Sequence, residues 1–300
     1  MTRSLLGRIL SYIRRHARAG LDRIEDQPFV VANTARPSDR ALLLRTLRYR
    51  VAGRGFGLTN NERLLLSFHN RHLGKRCFII GNGPSLNLCD VSLLKDEVTF
   101  GFNSIFLNRN KMGFAPTYYI VEDILVAEDR RHEINRYREP TVRFFGEYLR
   151  CFLDDAPNTV WMNVKLRYDE YEGFPNFSVN SARELWVGGT VSYLALQLAF
   201  YMGFQDVYLI GFDHHYTVPS DVQQEGVRWT SQSADPNHFH PDYFGKGYRW
   251  HDPRLDRMEL AFMRARETFA RHGRSVRNAT EGGRLSVFER VDFNSLFGPA

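Results

Sequence analysis

Strand-like and helix-like segments alternate along most of this chain, and this alternation constrains the fold more than any other feature of the sequence. Short apolar runs of strand character recur from residue 77 onward, at 77–80, 98–102, 117–121, 142–145, 159–164, 206–211 and 275–278. Helical patterns separate several of them, the clearest being a run at 188–203 that is apolar nearly all round and an amphipathic run at 254–272. Apolar strands that alternate with helices are typical of α/β folds with a mostly parallel sheet. We therefore predict a Rossmann-like sheet flanked by helices.

A glycine-rich corner follows the first apolar run. Gly81 and Gly83 permit backbone angles closed to other residues and let a ligand approach the main chain, and Pro84 suits the first turn of a helix. This predicts a strand–loop–helix corner whose free amide groups hold a phosphate, with a plain tight turn as the alternative. The corner lacks the third glycine of a dinucleotide fingerprint, because Leu86 stands there, and it lacks the Gly-Lys-Ser/Thr of a Walker loop.

Small or polar residues come directly after several predicted strands, at 81–83, 103–104, 122–123 and 213–216. In open parallel sheets, ligands bind outside the carboxyl ends of the strands. These residues are therefore expected to line one crevice.

The longest stretch without regular pattern, 214–252, is expected to form a lid over that crevice. It combines His238, His240 and His251 with tyrosines, Lys246 and Arg249. Long loops in compact domains are usually functional or disordered, and this one is too aromatic to be simply disordered. Three interpretations compete: an active-site lid with a histidine base, a metal site built on the His-x-His pair, or a structural loop whose aromatic side chains pack on the domain. In the first, histidine activates a hydroxyl group while tyrosine, lysine or arginine stabilises a departing phosphate.

Positive charge is concentrated at the N-terminus. Residues 1–76 hold 15 Arg and one Lys against five acidic residues, a net charge of +11, whereas the whole chain carries +6. The remainder is thus mildly acidic, which argues against nucleic acid as its ligand. Residues 1–20 form a basic amphipathic pattern suited to an anionic membrane surface, or to packing on the chain's own domain. Helical patterns near 41–52 and 61–69 complete a basic helical extension, 1–74, before a catalytic domain, 75–300.

Cysteine usage and hydropathy point to a cytoplasmic protein. Three cysteines without CxxC spacing suit a reducing compartment. No apolar run approaches the roughly 18 residues of a membrane span. Arg8, Arg14 and Arg15 interrupt any signal-peptide core.

Several segments together resemble known transferases. The chain is similar to the bacterial sialyltransferases that build lipooligosaccharide in the segments IIGNGPSL (79–86), FGFNSIF (100–106), GGTVSYLALQLAFYMGF (188–204), DVYLIGFDHHY (206–216) and NHF (237–239). The tail SVRNATEGGRLSVFERV (275–291) resembles the related MptE-like family, which includes archaeal 6-hydroxymethylpterin diphosphokinases and motility-associated flagellin glycosyltransferases. The resemblance covers about residues 75–293.

The resemblance implies roles for individual residues. It implies His238 as general base toward an acceptor hydroxyl group, with Tyr216 and Tyr243 assisting the departing phosphate. It implies binding of nucleotide or substrate by Gly81, Asn82, Gly83, Ser85, Asn103, Gly189, Thr190, Ser192 and Asn237. The sialyltransferase pattern has asparagine where this chain has Asp123; with Asp213, this carboxylate could instead line the nucleotide site or hold Mg²⁺.

Three functions follow as hypotheses. The first is an inverting glycosyltransferase that moves a sialic-acid-like or Kdo-like sugar from a CMP-activated donor to a glycan or glycolipid, with no required cofactor. The second is a Mg²⁺-dependent diphosphokinase that moves pyrophosphate from ATP to a pterin-like alcohol, with Asp123 and Asp213 as metal ligands. The third is a nucleotide-binding module without catalysis. The sequence leaves the oligomeric state open.

Overall fold

An eight-stranded parallel sheet forms the centre of the molecule. A computed structural model describes residues 39–166, 173–226 and 228–298. Its strands are, in chain order, β1 Arg76–Ile80, β2 Thr99–Phe102, β3 Tyr118–Val121, β4 Val142–Gly146, β5 Thr159–Met162, β6 Val164–Lys165, β7 Leu185–Trp186, β8 Asp206–Ile210, β9 Gln223–Glu225, β10 Arg228–Thr230, β11 Arg249–His251, β12 Ser275–Asn278 and β13 Glu289–Arg290. The main sheet has the order β13-β12-β8-β1-β2-β3-β4-β5. All seven of its strand pairs are parallel, which confirms the predicted α/β fold.

The helices cover both faces of this sheet. They are α1 Asp39–Ala52, α2 Asn60–Ser67, α3 Arg109–Met112, α4 Ile124–Asp129, α5 Arg131–Arg136, α6 Val191–Tyr201 and α7 Leu255–Arg271. Residues of α1, α2, α6 and α7 share one hydrophobic core with one face of the sheet. Residues of α4, α5 and the loop before β11 share the core on the opposite face.

Helix α6 is buried, as its apolar sequence predicts. Its one buried amide, Gln197, is fully used: the side-chain oxygen accepts from the Ser178 and Trp186 amides, each at 3.0 Å, and the nitrogen donates to the Trp186 carbonyl at 2.8 Å. A buried polar group is tolerated when it is hydrogen-bonded in this way. The helix therefore seats firmly on the sheet and fixes the position of its own N-terminus.

The N-terminal helices pack on the sheet rather than standing apart from it. The Tyr49 hydroxyl group, on α1, donates to Glu147 at 2.8 Å, and Arg48 pairs with the buried Glu62 of α2 at 2.6 Å. The basic amphipathic pattern predicted at residues 1–20 lies outside the described residues. Within them, no helix is both long enough and apolar enough to cross a bilayer.

The stretch 214–252 is more regular than its sequence indicates. Strands β9, β10 and β11 form a small antiparallel sheet, so the expectation of a patternless loop is wrong there. Each strand has only three residues, which is too short for a visible alternation of apolar and polar side chains. The Trp229 and Trp250 rings pack edge to face at 4.7 Å and stabilise the pairing of β10 with β11.

Ionic contacts tie this small sheet to α4. The Arg249 side chain pairs with Asp129, to which its Nε donates at 3.0 Å, and with Glu128 at 2.9 Å. His251 pairs with Asp123, the residue that caps α4, at 2.9 Å. These ion pairs therefore fix β11, which precedes α7 in the chain, against α4, which follows β3.

Candidate active site

The glycine-rich corner lies at the topological switch point of the sheet, where the strand order changes direction. Strand β1 has β2 on one side and β8 on the other, and such a switch point is the usual ligand position in open α/β sheets. The segment Pro84–Leu88 is a 3₁₀ helix rather than the start of an α-helix.

The backbone amides of this corner are already engaged. Gly81 donates to the Ile210 carbonyl at 2.7 Å, Gly83 donates to the Gly211 carbonyl at 3.0 Å, and the Ser85 amide lies 3.2 Å from Asp213. The prediction of free amides for a phosphate is therefore wrong for these three residues. The amides instead join β1 to the segment after β8.

Close packing against that segment explains the glycines. A Cβ atom on Gly81 would lie 2.4 Å from the Gly211 carbonyl oxygen, and one on Gly83 would lie 1.9 Å from the Asp213 carboxylate. Gly83 has a φ of −70°, which any residue can adopt. The sequence correctly predicts that these positions require glycine, but the reason is steric contact rather than an unusual backbone angle.

A cleft opens at the carboxyl ends of the strands, where the sequence predicts one. Every predicted site residue except Ser85 lines it: Gly81, Asn82, Gly83, Asn103, Asp123, Gly189, Thr190, Ser192, Asp213, Tyr216, Asn237, His238 and Tyr243. Ser85 is buried, and its hydroxyl group donates to Asp213 at 2.6 Å. The cleft thus gathers residues that are far apart in the sequence.

His238 is oriented by a carboxylate that the sequence analysis did not assign. Its Nδ1 lies 2.7 Å from Asp235, and its ring stacks on Tyr243 at 4.0 Å with 5° between the planes. Burial would raise the pKa of Asp235, but the hydrogen bonds from His238, Asn237 and Phe244 outweigh it and lower that pKa. The ionised Asp235 fixes the tautomer with a proton on Nδ1, which leaves Nε2 to accept one. In the sequence, this pair is indicated by the position of Asp235 three residues before His238.

The side chains of Asn82, Asn103 and Tyr243 form a polar cluster in the cleft wall. Tyr243 is buried, and its hydroxyl oxygen accepts from the Asn82 side chain at 2.9 Å. Burial raises the pKa of Tyr243, so its hydroxyl group stays protonated. The side-chain oxygens of Asn82 and Asn103 are buried and have no hydrogen-bond partner in the described part of the chain. Such acceptors are suited to donors on a ligand.

The remaining predicted cleft residues differ in the hydrogen-bonding groups that they can offer to a ligand. Burial raises the pKa of Tyr216 to about 12, so it too can donate a hydrogen bond. The Asn237 side chain is occupied: its oxygen accepts from the Thr217 amide at 2.7 Å and its nitrogen donates to the Thr217 carbonyl at 2.9 Å. At the start of α6, Thr190 and Ser192 hydroxyl groups lie 2.8 Å apart. The N-terminus of this helix favours negative charge in the cleft.

Other polar residues of the long stretch do not reach the cleft. The Arg249 side chain is bound to α4, and neither it nor Lys246 lines the cleft. His240 lies outside it as well, and its Nδ1 accepts from the Asp242 amide at 3.1 Å. The His-x-His pair therefore does not converge on one point, and the metal interpretation of that pair is wrong. His251, by contrast, lines the cleft.

A family model matches residues 57–219, more than half of the chain, and its description is "6-hydroxymethylpterin diphosphokinase MptE-like". This chain belongs to the MptE-like family. The match supports a transferase that uses a nucleotide. It includes the glycine-rich corner, Asn103, Asp123, α6 and Asp213, and it ends before Asp235, His238 and His251.

Other comparisons add little to the MptE-like assignment. A mammalian sialyltransferase, solved in complex with Gal-beta-1-3GalNAc-ortho-nitrophenol, is 12% identical with a TM-score of 0.32, over 89% of this chain and 96% of that one. This score is too low to carry an argument. No curated protein matches.

The two aspartates proposed for Mg²⁺ are engaged with protein groups. Asp123 accepts from the Leu125 amide at 2.7 Å and pairs with His251, while Asp213 accepts from Ser85. The described residues contain no group of three or more His, Cys, Asp or Glu side chains arranged to hold a metal ion. Because no further carboxylate or histidine joins these two aspartates in such a group, the described residues do not fit a Mg²⁺ site built on this pair.

Proposed function

We propose that this chain is an inverting glycosyltransferase that moves an acidic sugar from a CMP-activated donor to a hydroxyl group. The observation that carries the proposal is the His238–Asp235 pair, because His238 lines the same cleft as two asparagines whose side-chain oxygens have no hydrogen-bond partner in the described residues. A histidine held by a carboxylate is suited to take a proton from a hydroxyl group. A donor nucleotide offers amino and hydroxyl groups to Asn82 and Asn103.

The reaction assigns one task to each part of the cleft. Nε2 of His238 takes the proton of the acceptor hydroxyl group, and the acceptor oxygen forms a bond to the anomeric carbon. The bond between that carbon and the phosphate oxygen breaks, and its electron pair leaves with CMP. Tyr216 and Tyr243 remain protonated and donate hydrogen bonds to the departing phosphate.

The acceptor and the location are part of the proposal. A glycan or a glycolipid supplies the hydroxyl group, and the excess of arginine in residues 1–76 suits an acceptor held at an anionic membrane surface. The enzyme then acts in the cytoplasm, at the inner membrane face.

The family description favours a second candidate, a diphosphokinase that moves pyrophosphate from ATP. That reaction calls for a cation beside the phosphates. Asp123 and Asp213 are the carboxylates predicted for that cation, and the described residues contain no group of three or more ligands that includes them. The geometry therefore favours the glycosyltransferase.

Thermal unfolding with nucleotides distinguishes the two candidates. CMP without metal is expected to raise the melting temperature by a few degrees, because a ligand at about 100 times its Kd stabilises the native state by roughly 2.7 kcal/mol. UDP and GDP at the same concentration serve as matched controls. Stabilisation by ATP only in the presence of Mg²⁺, without an effect of CMP, would contradict the proposal and favour the diphosphokinase.

A further inference from the structure

The charge of the cleft raises a question about any anionic ligand. Its described lining includes four carboxylates, Glu122, Asp123, Asp213 and Asp252, and neither lysine nor arginine. The side chains there that can carry positive charge are histidines, at positions 214, 215, 238 and 251. An anion that enters a partly enclosed site needs opposite charge nearby, because carboxylates alone would repel it.

His238 and His214 are poorly placed to supply that charge. Nε2 of His238 must be unprotonated to accept the acceptor's proton in the proposed reaction. His214 pairs with Glu259, a half-exposed side chain, at 3.1 Å. His251 differs because its carboxylate partner is itself built into the cleft wall.

The Asp123 carboxylate is well placed to keep His251 charged. One oxygen of Asp123 lies 2.9 Å from Nδ1 of His251, and the other accepts from the Leu125 and Val126 amides at the start of α4. Burial alone would lower the pKa of His251, and Arg228 acts in the same direction. The attraction of Asp123 and Glu122 outweighs both, so the pKa is raised. Asp123 thus favours the charged form of a histidine that lines the cleft.

We propose that His251, held by Asp123, binds the phosphate group of the nucleotide. This inference rests on the proposed function, since it names the cation that the phosphate of the donor requires. It also gives Asp123 a role that needs no metal: it orients and charges the histidine. Removing His251 would leave the Asp123 charge uncompensated beside the ligand.

Comparing CMP with cytidine isolates the phosphate contribution to binding. By calorimetry at pH 7, the wild-type chain is expected to bind CMP about 10-fold or more tightly than cytidine, as a charged hydrogen bond provides. His251→Gln should bring the two affinities close together, whereas His214→Gln, the matched control in the same cleft, should retain the difference. An unchanged CMP-to-cytidine ratio in His251→Gln overturns the proposal.

The pH dependence gives a readout that a structural role would not change. Because the pKa of His251 is raised, its positive charge is present at lower pH and is lost as the pH rises through that pKa. The advantage of CMP over cytidine should therefore persist above pH 6.5, the ordinary pKa of histidine, and fall as the pH rises further, in a range where CMP keeps its charge because its second pKa is about 6. Asp123→Asn should move this fall to lower pH. A profile that is flat in the wild type, or unmoved in Asp123→Asn, contradicts the proposal.

ATP and adenosine separate this inference from the proposed function. If CMP gains nothing over cytidine but ATP gains over adenosine, and the gain disappears in His251→Gln, then His251 binds phosphate as proposed and the CMP-dependent reaction is wrong. If neither nucleotide binds more tightly than its nucleoside, the inference about His251 is overturned.

Discussion

Replacing His238 by alanine is expected to lower kcat for sugar transfer by about 10²–10⁴-fold, the usual contribution of a positioned general base. The acceptor hydroxyl group would then attack without losing its proton to the protein. The asparagines that are proposed to hold the nucleotide remain, so KM for the donor should change little. The measurement is the release of CMP from CMP-N-acetylneuraminate in the presence of lactose, followed over time.

A histidine two positions away provides the control. His240 lies in the same segment but outside the cleft, so His240→Ala should keep kcat near the wild-type value. Asp235→Asn should lower kcat as well, because the oriented tautomer of His238 is lost. Full activity in His238→Ala would remove this histidine from the reaction. A wild-type chain that binds CMP but releases none from the donor would instead indicate a nucleotide-binding module without catalysis.

Gly83→Ala is expected to lower the free energy of unfolding by about 3–5 kcal/mol, among the larger effects of single substitutions. The new Cβ would lie 1.9 Å from the Asp213 carboxylate and 2.9 Å from the Gly211 carbonyl oxygen. Asp213 would have to move and would lose its 2.6 Å hydrogen bond from Ser85. Overpacking and the loss of a charged hydrogen bond both contribute. Urea unfolding followed by circular dichroism measures the change.

Gly298→Ala is the matched control, because the nearest heavy atom to its new Cβ is 4.0 Å away. It should unfold at the wild-type urea concentration. The double variant Gly83→Ala/Asp213→Ala should be more stable than the sum of the single effects predicts, since the clashing carboxylate is absent. A Gly83→Ala chain as stable as the wild type would show that the corner relaxes at no cost.

The sequence specifies strands β1 to β5 and β8 of the main sheet well because they are buried on both faces and read as continuous apolar runs. The sequence does not predict β13, whose two residues are exposed. The predicted and observed strand ends agree closely, apart from 159–164, which is divided into β5 and β6. The rule that ligands bind at the carboxyl ends of strands then places nearly all predicted site residues in one cleft.

The sequence does not indicate hydrogen-bond partners that are brought together only by the tertiary structure. The amides of Gly81 and Gly83 find acceptors on a segment more than 120 residues later, and no local pattern reports this pairing. The same holds for His251 and Asp123, whose separation is 128 residues. The role of Asp235 is easier to predict from the sequence, because this residue lies only three positions from the histidine that it orients.

From the contacts between the small sheet and α4, we expect the cleft to be completed late in folding. Arg249 and Asp129 are 120 residues apart, and closing such a loop costs conformational entropy before any contact repays it. Most of the parallel sheet can pair before the segment that carries His238 is fastened to α4. Catalytic competence would then report on the completion of the whole chain's folding, whereas secondary structure content would not.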